Sequence, residues 1–420
     1  MNNRPQIIEA FLLYSTQKIM NKQQWYAWHS LAGIKLSMLI CFILITGTLG
    51  VLSHEIDWLA NPAKRVLPAV ESSKINWPLV YQSASKRNTD HAISSINAPI
   101  DDWFSVEVIR LNDKAQRYRQ FYHPVTGEYL GEGRWYNWQR FFRMSHRHLM
   151  MPTIIGTTIV GVVGLLMFFS LISGFFLIPK WWKKFFVKPR TGNSKIFWND
   201  CHRLFGLWSS GLLLVVCVTG VWYLAEVWGL NASFPAQVDS ISTAEKQTIV
   251  MPTPALMSSI VANVAKHHDL AIRQIILPSK RRNAVIIQGQ NDTVLVRNRA
   301  NNVVFNPING EYLSTRFAQD QSLHVRISEA ADPLHFGTFY GISSKILYFI
   351  FGVAISALAV SGTYLYGLRH AKLHREAMHQ VKKSWQASFN GMSYGKWISI
   401  VLIIICFALT IILFNYLVDI

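Results

Sequence analysis

The chain of 420 residues carries 14 histidines, and the chemistry they suggest depends on where they fall. His29 begins the stretch HSLAGIKLSMLICFILITGTLG and His202 begins HRLFGLWSSGLLLVVCVTGVWY. A shift of 173 residues lays one on the other and matches His29 to His202, Gly33 to Gly206, Thr46 to Thr219 and Gly47 to Gly220. In each stretch 18 residues separate the histidine from the second glycine. That is five turns at about 3.6 residues per turn, so both lie on one helix face. Small residues there let a backbone or a flat ligand approach, although helix packing uses them too. His54, His146, His148 and His335 fall at the opposite ends of apolar runs, with His370 back at the first end. A neutral imidazole is a common ligand of haem iron, and two from facing helices hold a low-spin haem. Histidines at both ends of the runs predict two haems, one in each leaflet, as an electron path. For a single histidine at a helix end the wet interface is the better reading, and it is the repeated placement that favours ligands. Zinc fits less well, because no tight carboxylate or thiolate set accompanies the histidines. A proton relay stays open.

The elements that must position these residues are membrane spans. Half of the residues are hydrophobic, too many for one ordinary soluble domain, yet the charged residues require sizeable aqueous parts. Five segments are long and apolar enough to cross a bilayer as helices: 30–53, 152–178, 203–224, 346–368 and 397–417. The segment 179–202 carries Lys180, Lys183, Lys184, Lys188, Arg190 and Lys195 against Asp200, and 369–396 carries Arg369, Lys372, Arg375, Lys382, Lys383 and Lys396. This bias places both segments in the cytoplasm, together with residues 1–29, and the C-terminus outside. Residues 54–148 and 226–344 then face the periplasm or exterior. The net charge of +18 is explained by inside-positive topology and anionic lipid, not by nucleic acid. Arg4, Lys18 and Lys22 precede the first span without a cleavable signal pattern, so that span is expected to remain as an anchor. Cys41, Cys201, Cys217 and Cys406 offer no disulfide framework, CxxC pair or CxxCH haem-attachment motif.

Both outer segments read as small α+β domains. SVEVIRL and YRQFYHPVTGEYLGE predict strands in the first, and AVIIQGQ, TVLVRN and NVVFNPINGEYLST predict them in the second. A helix is predicted within 250–268. HPVTGEYLGE from His123 and NPINGEYLS from Asn306 match at Gly127/Gly310, Glu128/Glu311 and Tyr129/Tyr312. The returning helices match as well: SHRHLM and PLHFGT each lead to a Ser-Gly pair, Ser173-Gly174 and Ser361-Gly362. An internal duplication is therefore expected, with the fifth span added to it.

Taken together, the WH..LAG...TG and CHRLFGLW...TG starts, HEID, SHRHL, PLHFG and the P.TGEYL and P.NGEYL turns resemble the PepSY-associated transmembrane family, over roughly residues 25–370. That family includes iron-regulated inner-membrane proteins and ferric-siderophore reductases. The resemblance implies an integral membrane α-helical protein with two PepSY-like periplasmic domains in the bacterial inner membrane. It implies b-type haem on transmembrane histidines, and reduction of a periplasmic iron(III)-siderophore that releases iron(II). His29 and His202 match the family's histidines at the starts of helices one and three, His335 the one in LHFG, and His146 fits His-Arg-x-Leu better than His148. The symmetry breaks at His54 and His370, neither of which has a histidine partner in the other copy. The pairing stays open: His29 with His202, or either with His370.

No GxGxxG fingerprint or flavodoxin-like stretch follows the spans, so a reductase of this kind takes electrons from quinol or a separate cytosolic reductase. Two other readings stand beside it. One is a haem-free sensory module whose sheet edges bind an extended peptide. The other is a siderophore transporter subunit, against which stand the few polar residues available to line a path. Lys35 reads as a side chain snorkelling to the cytoplasmic face. His267, His268, His374 and His379 read as solvated surface residues.

Overall fold

The computed structural model describes residues 20–232, 249–280, 282–371 and 377–415. Arg4, Lys18, Lys372, His374 and Arg375 lie outside them, as does the side chain of His379. The described chain begins with α1 (Lys22–Ile34), opened by a reciprocal cap between Asn21 and Gln24. It continues through α2 (Ser37–Val51), α3 (Ser53–Ala60) and α4 (Trp77–Lys86) into strands β1 (Ala92–Asn97), β2 (Val106–Leu111), β3 (Arg117–Tyr122) and β4 (Tyr129–Arg134). Next come α5 (Trp138–His148), the long α6 (Thr153–Leu177) and α7 (Ser194–Ala225). The helix α8 (Pro254–His267) leads to β5 (Ala271–Ile276), β6 (Val285–Gln290), β7 (Asn301–Phe305) and β8 (Tyr312–Arg316). The chain ends in α9 (Leu323–Phe336), α10 (Gly341–His370), α11 (Ala377–Met392) and α12 (Gly395–Asn415).

Among the described residues, α6, the helix from Ser194 to Leu230, α10 and α12 are each long and apolar enough to cross a membrane. A fifth span exists if α1 and α2 count as one, and they meet at a bend of 66°. The sequence reads 30–53 as a single straight span, so the bend is a difference. It falls at Lys35 and Leu36, where the Lys35 carbonyl lies 1.9 Å from where a Cβ on Gly395 would stand. A glycine at the start of α12 is thus what lets that backbone approach. The Lys35 ammonium donates to the Gly391 carbonyl at 3.1 Å, an anchor more specific than snorkelling. Within 369–396, read from sequence as a loop, α11 forms a helix, and Ser388 Oγ donates to the Thr363 carbonyl of α10 at 2.7 Å.

The chain divides into two compact units. The first comprises residues 1–41, 163–217 and 354–401, and the second comprises 42–162, 218–353 and 402–420. The second holds the sheet. The strands of segments 54–148 and 226–344 join into one antiparallel eight-stranded sheet of order β4-β3-β2-β1-β5-β6-β7-β8. The seam is the β1–β5 pairing, Ser95 with Ile276, Ile96 with Ile275 and Asn97 with Gln274. One face carries α4 and α8, whose Trp77, Val80, Tyr81, Ala84, Met257, Ile260 and Val264 pack on Ile96, Val108, Ile275, Ile287 and Val303. The turns recognised in sequence are built alike. Gly127 N–H donates to the His123 carbonyl and Gly310 N–H to the Asn306 carbonyl, each at 3.0 Å, with φ of 65° and 72°. Only glycine takes that φ without cost, and a Cβ at either would press on Leu79 or Leu256 of the covering helix.

Helix α3 and the segment between β6 and β7 hold the two helices that follow the strands. Asp57 of α3 accepts from the backbone N–H of Trp138 at 2.9 Å and Gln139 at 3.3 Å, capping the start of α5, and pairs with Lys64 at 3.3 Å. Arg297, between β6 and β7, clamps α9 through Glu329 at 2.8 Å and Asp332 at 3.1 Å. Glu329 is fully buried and also meets Arg299 at 2.9 Å. A doubly paired buried carboxylate specifies one seating of α9 on the sheet.

Candidate functional site: two histidine pairs

His29 and His202, carried by α1 and α7, stand with ring centres 6.3 Å apart and planes at 86°. His146 and His335, at the ends of α5 and α9, stand with ring centres 6.0 Å apart and planes at 42°. The first pair lies wholly in the first unit and the second wholly in the second.

Each ring is tied down through Nδ1. His29 Nδ1 lies 2.9 Å from the Ser170 carbonyl and 3.1 Å from Ser173 Oγ of α6. His146 Nδ1 lies 2.8 Å from the Ile43 carbonyl of α2. A carbonyl only accepts, so Nδ1 carries the proton in both rings and Nε2 carries the lone pair. His202 Nδ1 meets Ser361 Oγ at 3.1 Å, and that hydroxyl donates to the Leu358 carbonyl, so it accepts from the ring. His335 Nδ1 meets Thr219 Oγ1 at 2.7 Å. Each histidine therefore leans on the helix paired with it in the chain: α1 on α6, α7 on α10, α5 on α2 and α9 on α7. Burial, with His146 alongside, pushes the His335 imidazole down to about 3, and burial lowers His146 as well, so both rings are neutral.

Glycines make the close approaches possible. A Cβ on Gly47 would stand 2.5 Å from His146 Cε1, and one on Gly362 would stand 2.9 Å from His202 Cε1. Gly33, Gly206 and Gly220 face room instead. A Cβ on Gly33 or Gly220 would meet nothing within 4 Å, and one on Gly206 would meet only Leu358, at 3.6 Å.

These features fit bis-imidazole ligation of an iron. With metal–nitrogen bonds of about 2.0 Å and ring centres about 1.2 Å beyond each nitrogen, two rings on opposite sides of one metal have centres about 6.4 Å apart, close to the 6.3 Å and 6.0 Å found here. Tethering Nδ1 fixes the tautomer and raises the basicity of Nε2, the usual support of a metal-bound imidazole. Among the described residues no three His, Cys, Asp or Glu side chains converge on a common point. The arrangement is thus a pair at each place, not a three-ligand centre.

The remaining sequence candidates lie apart from the pairs. His370 is exposed and lies against Tyr366, with ring centres 4.3 Å apart and planes tilted by 32°. His148, two residues from His146, is buried with its Nδ1 unpartnered. His54 is half-buried, and burial followed by the charges of Lys64 and Lys345 holds it neutral. The polar shell about His335 has no counterpart among the residues singled out in sequence. Tyr223 packs edge-on to His335 at 5.4 Å and donates to Asp332 at 2.6 Å. Burial works to raise the Asp332 pKa, but Arg297 and the Tyr223 hydroxyl outweigh it and hold the carboxyl below its ordinary value. Ser173, Ser361 and Thr219 carried a signal, since all three lie in the matched Ser-Gly and Thr-Gly pairs.

No curated protein matches the chain. The family described as the PepSY-associated TM region matches residues 26–369, a range that holds both histidine pairs and stops one residue short of His370. The chain, a multi-pass membrane protein by its helices, is a member of the PepSY-associated transmembrane family.

Proposed function

We propose that this protein is a di-haem b electron-transfer protein of the bacterial inner membrane, which reduces a ferric siderophore on the periplasmic side and releases iron(II). The observation that carries the reading is the pairing: His29 with His202 and His146 with His335, each spaced for one iron and tethered through Nδ1. Haem, when bound, supplies a one-electron couple. The protein holds the ligand rings neutral and oriented, through Ser170, Ser361, Ile43 and Thr219. Each pair takes one histidine from each half of the chain, which supports an internal duplication whose halves face one another. The basic segments beside α6 and α10 support a cytoplasmic N-terminus, with the sheet outside. Quinol or a separate cytosolic reductase is the donor in this reading.

The test is the optical spectrum of purified protein before and after dithionite. A b-type Soret band that shifts on reduction, with two haems per chain by pyridine haemochrome, is expected. Colourless protein from haem-sufficient cells overturns the reading. A peptide-binding module is the second reading, and it rests on β4 and β8 being the edges of the sheet. It expects histidine-to-alanine changes in both pairs to leave function intact.

A further inference from the structure

Three guanidinium groups crowd one indole in the second unit. Arg140, Arg119 and Arg117 stand 3.4 Å, 4.6 Å and 5.1 Å from the ring centre of Trp135. Arg119 is spoken for: its Nε pairs with Glu107 at 2.5 Å and its Nη1 donates to the Arg134 carbonyl at 2.7 Å. Arg117 and Arg140 have no carboxylate partner among the described residues. The Arg140 Nε–H is buried without an acceptor. Burial and the charge of Arg119 push the Arg140 pKa down to about 10, the mark of positive charge that lacks a counter-charge. Beside this cluster lies a wide-mouthed depression of about 420 Å³ whose lining includes Arg117, Trp135, Tyr136 and Leu413, and Arg140 borders it through its contact with Trp135. That volume is in the range of small-ligand sites.

We infer that Arg117, Arg140 and Trp135 form a binding site for an anionic iron(III) chelate, of the citrate or catecholate type. The inference rests on the reductase reading above and adds to it the charge class and the seat of the substrate. Carboxylate or catecholate oxygens satisfy the free guanidinium donors in pairs, and the indole, with Arg140 at 3.4 Å from its centre, holds that guanidinium in place. Position favours a redox substrate. Arg140 and His146 share α5, and six residues along a helix is a rise of about 9 Å. A chelate against Arg140 is then about 9 Å along α5 from His146, on a different side of the helix. The proposal concerns binding alone.

The probe is gallium(III) citrate, a redox-inert anion, with the cationic gallium(III) complex of desferrioxamine B as its contrast. Binding is measured by equilibrium dialysis on the full-length protein in phosphatidylcholine nanodiscs. The anionic complex is expected to bind and the cationic one not. Arg117→Gln, at an exposed position, and Arg140→Gln are each expected to weaken binding about tenfold or more, the loss of one charge-assisted contact. Arg140→Lys, which keeps charge but not the planar fork, falls between. Unchanged melting temperatures separate lost binding from lost fold. Equal binding by wild type and both Gln variants overturns the proposal, and so does equal binding of the two complexes. Citrate binding abolished by phosphatidylglycerol in the disc, with that lipid retained through the same arginines, also overturns it and assigns a lipid headgroup instead. Gallium binding is read whether or not haem is present. A colourless protein that binds gallium citrate through these arginines thus sinks the reductase reading while supporting the site.

Discussion

Gly47→Ala adds one methyl group in the middle of α2, and the structure says where it goes. The new Cβ would lie 2.5 Å from His146 Cε1 and 2.6 Å from its Nδ1. Carbon atoms in comfortable contact are about 3.5 Å apart, so the ring must retreat by about 1 Å. The Nδ1 bond to the Ile43 carbonyl, now 2.8 Å, then stretches past the hydrogen-bonding range, at a cost of about 1 kcal/mol. Alanine in a helix interior returns about 1 kcal/mol relative to glycine. The two nearly cancel, so overall stability should hardly move. The ligand geometry does not recover, because His146 is no longer aligned with His335. Loss of a supporting contact of this kind costs about 10-fold to 100-fold in metal affinity. The expected result is one haem per chain by pyridine haemochrome in place of two, with the melting temperature within a few degrees of wild type. Gly50→Ala, on the same helix but with nothing within 4 Å of its Cβ, should keep both haems. Two haems with an unaltered spectrum in Gly47→Ala, or equal loss in Gly50→Ala, would refute the placement of His146 as a ligand.

Other substitutions test other parts of the site. His202→Ala and His335→Ala should each remove one haem and together both, read by haemochrome with helical content checked by circular dichroism; unchanged haem in the single variants refutes these ligands. Thr219→Val keeps shape but removes the hydroxyl at 2.7 Å from His335 Nδ1, and should lower affinity for one haem about tenfold while leaving the other at its wild-type potential. Glu329→Ala removes the buried carboxylate shared by Arg297 and Arg299 and leaves Arg297 paired with Asp332, and should destabilise the protein by about 2 kcal/mol, seen as a lower melting temperature in detergent. The depressed carboxyl of Asp332 contributes stability that is present above its ordinary value of 3.8 and is lost as pH falls below it. Acid melting curves of Asp332→Asn should therefore be flatter than wild type in that window.

Sequence matching singled out His29, His202, His146 and His335, which lie in similar segments, and the structure brings them together as two pairs. Their pairing was not legible in the sequence. Pairing across the halves joins residues 173 and 189 positions apart (202 − 29 and 335 − 146), and periodicity within one helix says nothing about which face meets which. The strands follow the same logic. Alternation and the two Gly-Glu-Tyr turns locate β2, β3, β4, β6, β7 and β8, but TVLVRN, read as a strand, forms none, and the seam strands β1 and β5 pair distant segments and carried no reading of their own. The bend at Lys35 has no proline to announce it. It depends on the approach of Gly395, which no local rule contains. Amphipathic spacing in VKKSWQASFNGM was available as a sign of α11, and the charge bias of the segment masked it.

The clamps at Asp57 and Arg297 explain why a sheet domain is needed to build a histidine pair. Helices in lipid are drawn together weakly, since side chains gain little by leaving one apolar medium for another. Here α5 and α9 end in His146 and His335, and each begins beside the sheet, one capped by Asp57 and the other gripped by Arg297. Those contacts are directed hydrogen bonds and ion pairs, in the same unit as the closely packed core beneath α4 and α8. The helices then act as short struts of 11 and 14 residues that carry this precision to the rings. Because α5 grows from the β1–β4 side and α9 from the β5–β8 side, the seam between β1 and β5 sets the separation of the two struts. On this argument the joined sheet is part of the site: two separate four-stranded domains would leave the spacing of His146 and His335 to helix packing alone.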